Sequence, residues 1–245
     1  MRQTLCDGYL VIFALAQAVI LLMLTPLFTG ISRQIRARMH SRRGPGIWQD
    51  YRDIHKLFKR QEVAPTSSGL MFRLMPWVLI SSMLVLALIA GSTHIEMISN
   101  TLAMGWNSPL TTVLALLACG FACFIEMGKI PFDVAEAEQE LQEGPLTEYS
   151  GAGLALAKWG LGLKQVVMAS LFVALFLSFG RAQELSLACL LTSLVVTLLK
   201  VLLIFVLASI AENTLARGRF LLIHHVTWLG FSLAALAWVF WLTGL

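Results

Sequence analysis

Half of the 14 carboxylates in this sequence fall between Glu126 and Glu148. Pro131, shortly after Gly128, should stop the preceding helix and begin a loop. Beyond it Glu136, Glu140 and Glu143 recur at i, i+4 and i+7, so a helical turn would align them on one face, with Glu138 between. Carboxylates crowded in this way raise one another's pKa, and burial raises it further, which suits them to exchanging protons near neutral pH. A solvated acidic loop has the same composition, and the residue types leave both readings open.

Three lysines, Lys158, Lys164 and Lys200, sit in apolar surroundings. The first two lie near one end of their apolar run and can snorkel to an interface. Lys200 lies near the middle of its run, where translocon scales put the cost of a cation at roughly 2.5–3.5 kcal/mol. It should therefore face the interior of a bundle beside a partner, and Glu126 and Glu212 are the available acids.

Other chemistry is sparse. Cys6, Cys119, Cys123 and Cys189 are scattered, and the one close pair, Cys119 and Cys123, lies inside an apolar run. Iron–sulfur and zinc sites need clustered thiolates, so these read as small apolar residues and no metal site is expected. His224 and His225 are adjacent, which on a helix turns them about 100° apart and makes no metal pair. There is no phosphate-binding glycine loop, nucleophile elbow or HExxH. No catalytic residue and no nucleic-acid partner is expected of this chain alone.

The elements that carry these residues are set by composition. The chain has 245 residues, 58% hydrophobic and 13% charged, with a mean hydropathy of +0.77. An average globular chain carries about 25% charged residues. The apolar runs are long enough for membrane helices, and the alternating segments of a transmembrane barrel are missing. The expected fold is all-α, a single integral membrane domain over 1–245 with about six transmembrane helices. They are placed at Tyr9–Ile31, Leu74–Thr93, Pro109–Gly128, Gly153–Phe179, Ser186–Ala211 and Leu221–Leu242. The first run lacks a cleavage pattern and meets a basic flank, so no signal peptide is expected.

Charge orients the bundle. The basic loop 32–73 holds ten of the 18 Lys and Arg, the acidic loop 129–152 holds Lys129, and the fifth loop holds Arg217 and Arg219, where headgroup contact accounts for them. These three loops share one side and the opposite side has only Arg2 and Arg181. The positive-inside rule places the three loops in the cytoplasm and both termini outside. In the first loop Ile47, Tyr51, Ile54 and Phe58 share one helical face, with Trp48 beside them, which predicts an amphipathic helix at the interface. It is either an anchor on the lipid surface or a floor on which a soluble partner docks.

The stretch Glu126-x-x-Lys-Ile-Pro-Phe-Asp133-x-x-Glu136-x-Glu138-x-Glu140-Leu-x-x-Gly144, followed by Thr147-Glu148-Tyr149-Ser150, resembles the signature of the respiratory complex I subunit 1 family. So does Arg42-Arg43-Gly44-Pro45-Gly46 followed by Gln49, Asp53, Lys56 and Leu57. Ala37 to Gly46, Tyr51-Arg-Asp-Ile and Glu138 to Pro145 are similar to its hydrogenase branch, the membrane subunits of formate hydrogenlyase and hydrogenase-4 complexes. The likeness runs through nearly the whole chain. Family members have eight spans, and here Met83 to Gly91 joins the start of the second to the end of the fourth, so two spans and a glycine-rich loop are absent.

The resemblance implies a non-catalytic subunit of an oxidoreductase complex, the elbow between a cytoplasmic redox arm and antiporter-like membrane subunits. Glu126, Asp133, Glu136, Glu138, Glu140 and Glu143 would be the proton-coupling carboxylates, joined on the reading of the residues by Lys200 and Glu212. Arg42, Arg43, Gly44 and Pro45, with Asp53 and Lys56, would form the docking surface. The implied partners are hydrogenase large and small subunits, iron–sulfur subunits and the antiporter-like subunits, in a bacterial inner membrane. The nickel–iron and iron–sulfur centres would sit in those partners. Complex I members line a quinone cavity here, but hydrogenase relatives pass electrons to protons elsewhere, and no quinone is assigned. The alternatives are a structural anchor without coupling, and a stand-alone ion transporter, whose internal repeats or paired broken helices are missing.

Overall fold

The computed structural model describes residues 2–62, 69–91, 109–129, 145–177, 179, 187–214 and 223–243. All regular structure among them is helical. In chain order the helices are α1 (Arg2–Met39), α2 (Gln49–Phe58), α3 (Leu70–Gly91), α4 (Pro109–Glu126), α5 (Pro145–Glu148), α6 (Gly151–Phe176), α7 (Leu187–Thr214) and α8 (Ile223–Thr243). Each expected span falls on one of the long helices. Four contain stretches long and apolar enough to cross a bilayer: Ala14–Met39, Leu70–Ile89, Gly151–Phe176 and Leu191–Thr214. The apolar parts of α4 and α8 are shorter, Thr111–Glu126 and Thr227–Phe240.

The first span is longer than its hydropathy suggests. Helix α1 continues beyond Ile31 through Arg33, Arg36 and Arg38, so the start of the expected basic loop is helical. Arg36 and Arg38 in the last turn oppose the negative end of the helix dipole. The helix then stops in a Schellman motif. Ser41 takes a left-handed φ of 55°, its N–H bonds Arg38 O at 3.0 Å, and Arg42 N–H reaches back to Ala37 O at 2.8 Å.

Helix α6 is the hub, packed against α1, α2, α3, α4 and α7, while α8 packs chiefly on α4. Its buried face is built from small residues, among them Gly153, Ala155, Ala157, Gly160, Gly162 and Ala169. Small side chains let helix backbones approach where lipid supplies no hydrophobic drive for association. The core gathers Leu21, Phe28, Leu163, Val166, Val167, Val201 and Phe205, with Ala87 of α3. Thus α3 runs unbroken across the Met83–Gly91 junction, and the junction itself is part of the core.

Helices α1 and α7 run parallel, as the expected first and fifth of six alternating spans would. Phe28 meets Phe205, Ser32 meets Ser209, and Arg36 meets Glu212. Prolines interrupt the hydrogen-bond ladders of α1 at Pro26 and of α3 at Pro76. Each lacks the N–H that would occupy the carbonyl four residues earlier.

Candidate functional site

Along the face that α7 turns to α1, the last turns become polar. Glu212 is 2% exposed. Its Oε1 receives the Arg36 guanidinium, and its Oε2 lies 3.6 Å from Lys129 Nζ. Lys129 is buried because Gly128, with a left-handed φ of 60°, turns the chain inward directly after α4. Lys129 Nζ donates to Ser32 Oγ at 2.9 Å, and Ser32 Oγ lies 2.7 Å from Ser209 Oγ, which donates to Phe205 O at 2.8 Å. With the Ser209 proton directed to Phe205, Ser32 is the donor between the hydroxyls, and the chain of donors points one way. A buried carboxylate is tolerated only when paired, and here two cations share one. Arg36 Nε has no partner among the described residues.

A second cluster pins α2 to α1. Asp50 accepts the Thr29 hydroxyl at 2.7 Å and pairs with Arg33 Nη1 at 2.6 Å. Gly30 permits this, because any Cβ there would collide with the Ile47 carbonyl. The expected apolar face is only partly inward: Ile54 and Tyr51 are half-buried, whereas Phe58 and Trp48 are exposed. The one buried side chain of α2 is Asp50. Burial pushes the Tyr51 phenol above its ordinary pKa, and its hydroxyl donates to Met23 O at 2.5 Å. Helix α2 is therefore a packed element resting on α1 and α6.

Between these clusters and the Lys164–Glu126 ion pair, 2.7 Å, lies a cavity of about 570 Å³. Its walls come from α1, α2, α4 and α6, and they include Arg33, Asp50, Glu126 and Lys158. Lys129 and Leu146 line it as well. They lie close in sequence to the two limits of residues 130–144.

The expected site residues divide as follows. Asp133, Glu136, Glu138, Glu140 and Glu143 lie outside the described residues. Glu126 and Glu212 are placed, but neither partners Lys200. Lys200 Nζ, 13 residues into α7, donates to Leu177 O at 2.7 Å and to Phe179 O, and sits 3.8 Å from the centroid of the Phe179 ring. The physical reason is that α6 ends beside the middle of α7. The Leu177 and Phe179 carbonyls, just past that end, and an aromatic face supply negative potential to the lysine there. On the proposed docking surface Arg42, Arg43, Pro45 and Lys56 are exposed, and Gly44 lies against Ala37 of α1. Asp53 instead lines the cavity, held by Gln49 Nε2 at 2.9 Å. Arg36, Lys129, Asp50, Ser32 and Ser209 were missed as site residues. Arg36 and Lys129 read as loop charges in the sequence, and only their spacing from a helix that continues past Ile31 would have exposed them.

The family described as NADH dehydrogenase matches residues 11–89 and, separately, residues 78–243. The chain belongs to this complex I subunit 1-like family. The two matches overlap only at residues 78–89, around the junction in α3. Relatives agree. The chain is 78% identical to hydrogenase-4 component C of Escherichia coli strain K12 over 315 positions that cover 100% of both chains. At 245 residues it leaves 70 of those positions facing a gap, and 245 matched residues would by themselves give the 78%. It is 37% identical to formate hydrogenlyase subunit 4 of the same strain over 301 positions, 94% of this chain and 98% of that one. A chain in the structure of the membrane-bound sulfane sulfur reductase, an archaeal respiratory membrane complex, shares the family member's fold. The TM-score is 0.62 at 15% identity, covering 96% of this chain and 99% of that one.

Proposed function

We propose that this chain is the membrane-anchoring and coupling subunit of a nickel–iron hydrogenase complex of the formate hydrogenlyase type. It would link electron transfer and H2 evolution, carried out on metal centres in partner subunits, to the membrane arm. The observation that supports coupling best is the position of the Arg36–Glu212–Lys129 cluster. It clamps the residue from which the acidic run starts, so a change of charge or position in that run is felt directly by α1 and α7. The exposed Arg42–Pro45 turn and Lys56 stand on the same end of the bundle and suit a soluble partner. That end faces the cytoplasm by its basic charge, which leaves both termini periplasmic. The partners on this reading are the hydrogenase large and small subunits, iron–sulfur subunits and antiporter-like subunits.

The test is co-purification from membranes of cells whose own copy of the subunit has been deleted, with H2 evolution measured on the same membranes. The reading expects the hydrogenase subunits to stay on the membrane only when the chain is present. If they remain without it, or if the chain alone moves ions in vesicles, the reading fails. A second reading, a structural anchor without coupling, is favoured by α3, whose junction closes the core although two family spans are absent. On that reading Glu212→Gln would leave H2 evolution equally sensitive to membrane energisation.

A further inference from the structure

Two proline gaps in the helix ladders are filled from one short segment. Pro26 leaves Leu22 O without its backbone donor, and Trp159 Nε1–H donates to that oxygen at 3.0 Å. Pro76 does the same to Phe72 O, and the Tyr149 hydroxyl donates to it at 3.0 Å. The Tyr149 ring also stacks on Phe72, centroids 4.3 Å apart and 9° from parallel. Burial, with Glu148 beside it, holds the Tyr149 phenol above its ordinary pKa, so it remains a donor. A freed carbonyl in an apolar setting needs a partner. Many side chains could serve, yet both partners here lie on the eleven residues that follow Glu148.

The flank is itself fixed. Gly151 has a φ of 53°, and a Cβ there would strike Gln61 O at 2.7 Å, so the start of α6 sits against the chain leaving α2. The segment Tyr149–Trp159 thereby holds α1 and α3 at the points where a proline has already weakened each helix.

We propose that Tyr149 and Trp159 are positioning residues for coupling: their bonds to Phe72 O and Leu22 O tie the downstream end of the acidic run to the proline-interrupted turns of α1 and α3. A shift of that end is then transmitted to both helices. The inference rests on the coupling reading above, but half of its test does not.

Trp159→Phe removes the indole donor and keeps an aromatic ring, and Tyr149→Phe removes only a hydroxyl. In the full chain in lipid nanodiscs, Trp159→Phe should raise amide exchange around Pro26, and Tyr149→Phe around Pro76, by about three- to tenfold. Adding Pro26→Ala to Trp159→Phe restores a backbone donor for Leu22 O, so exchange should return to its original rate. The energisation-dependent part of H2 evolution should stay at least threefold low in that double variant, because the helix is mended while the link to α6 is still cut. Unchanged exchange in the single variants would overturn the inference. So would full recovery of coupled turnover in the double variant, which would reduce Trp159 to a plug for an orphan carbonyl. If the unaltered chain shows no energisation-dependent turnover, the coupling reading has failed, and with it the positioning role, even if exchange confirms the bonds.

Discussion

Lys200 and Glu212 stand 12 residues apart on α7, and both are nearly closed to solvent, at 8% and 2% exposed. They are satisfied in different ways. Among the described residues Lys200 is met by the Leu177 and Phe179 carbonyls just past the end of α6 and by the Phe179 ring. Glu212 is met by two full charges from α1 and from the residue after α4. Carbonyl dipoles and a ring face stabilise a cation without supplying a full opposite charge. An ionic cluster ties three elements together: without Glu212 two cations face each other inside, and without Arg36 the carboxylate keeps only the longer contact to Lys129. The first arrangement is suited to holding a helix end. The second is suited to responding when charge changes nearby.

The largest expected effect follows from that contrast. Arg36→Ala leaves Glu212 with Lys129 alone at a longer distance, and should cost about 3 kcal/mol, the low end for breaking a buried pair because Arg36 is partly exposed. Thermal denaturation in nanodiscs would read it as a clear drop in melting temperature. A drop no larger than that of an exposed control such as Arg43→Ala would remove the distinction between the two sites. Lys200→Ala should be milder, about 1–2 kcal/mol, since it loses hydrogen bonds to a helix end. Its membrane insertion should be unimpaired, because a cation that costs roughly 2.5–3.5 kcal/mol at mid-span is gone. A loss in Lys200→Ala equal to that in Arg36→Ala would show that its cage carries more than capping. Ser209→Ala should be smallest, about 1 kcal/mol. It interrupts the donor chain from Lys129 and leaves Glu212 paired, so melting should shift slightly while the Arg36–Glu212 pair persists.

How far the sequence foretold this differs between the two residues. The need of Lys200 for a buried partner follows from its place in an apolar run, but the partner does not. Where α6 ends relative to α7 is a matter of tertiary register that hydropathy does not encode. For Glu212 even the partners were hidden, because Arg36 reads as a loop charge until one knows that α1 continues past Ile31 and that a Schellman turn at Ser41 stops it. Burial of Asp50 was illegible for a related reason: the apolar residues of α2 predict its inward face, and a carboxylate took part of that face once Thr29 and Arg33 were there to meet it. Pro26 and Pro76 were visible inside apolar runs, and each announces a freed carbonyl. Trp159 and Tyr149 as the donors could come only from the packing. The long apolar helices were legible because bilayer thickness constrains length and composition together.

The central claim is that the charge cluster at the base of the acidic run serves coupling as well as packing. Glu212→Gln keeps the shape of the side chain and removes its charge. The most direct measurement compares H2 evolution by membranes carrying Glu212→Gln with the unaltered chain, energised and then treated with an uncoupler, with subunit content checked on the same samples. The account predicts an assembled complex whose response to the uncoupler falls at least threefold. An assembled complex with an unchanged response would contradict it.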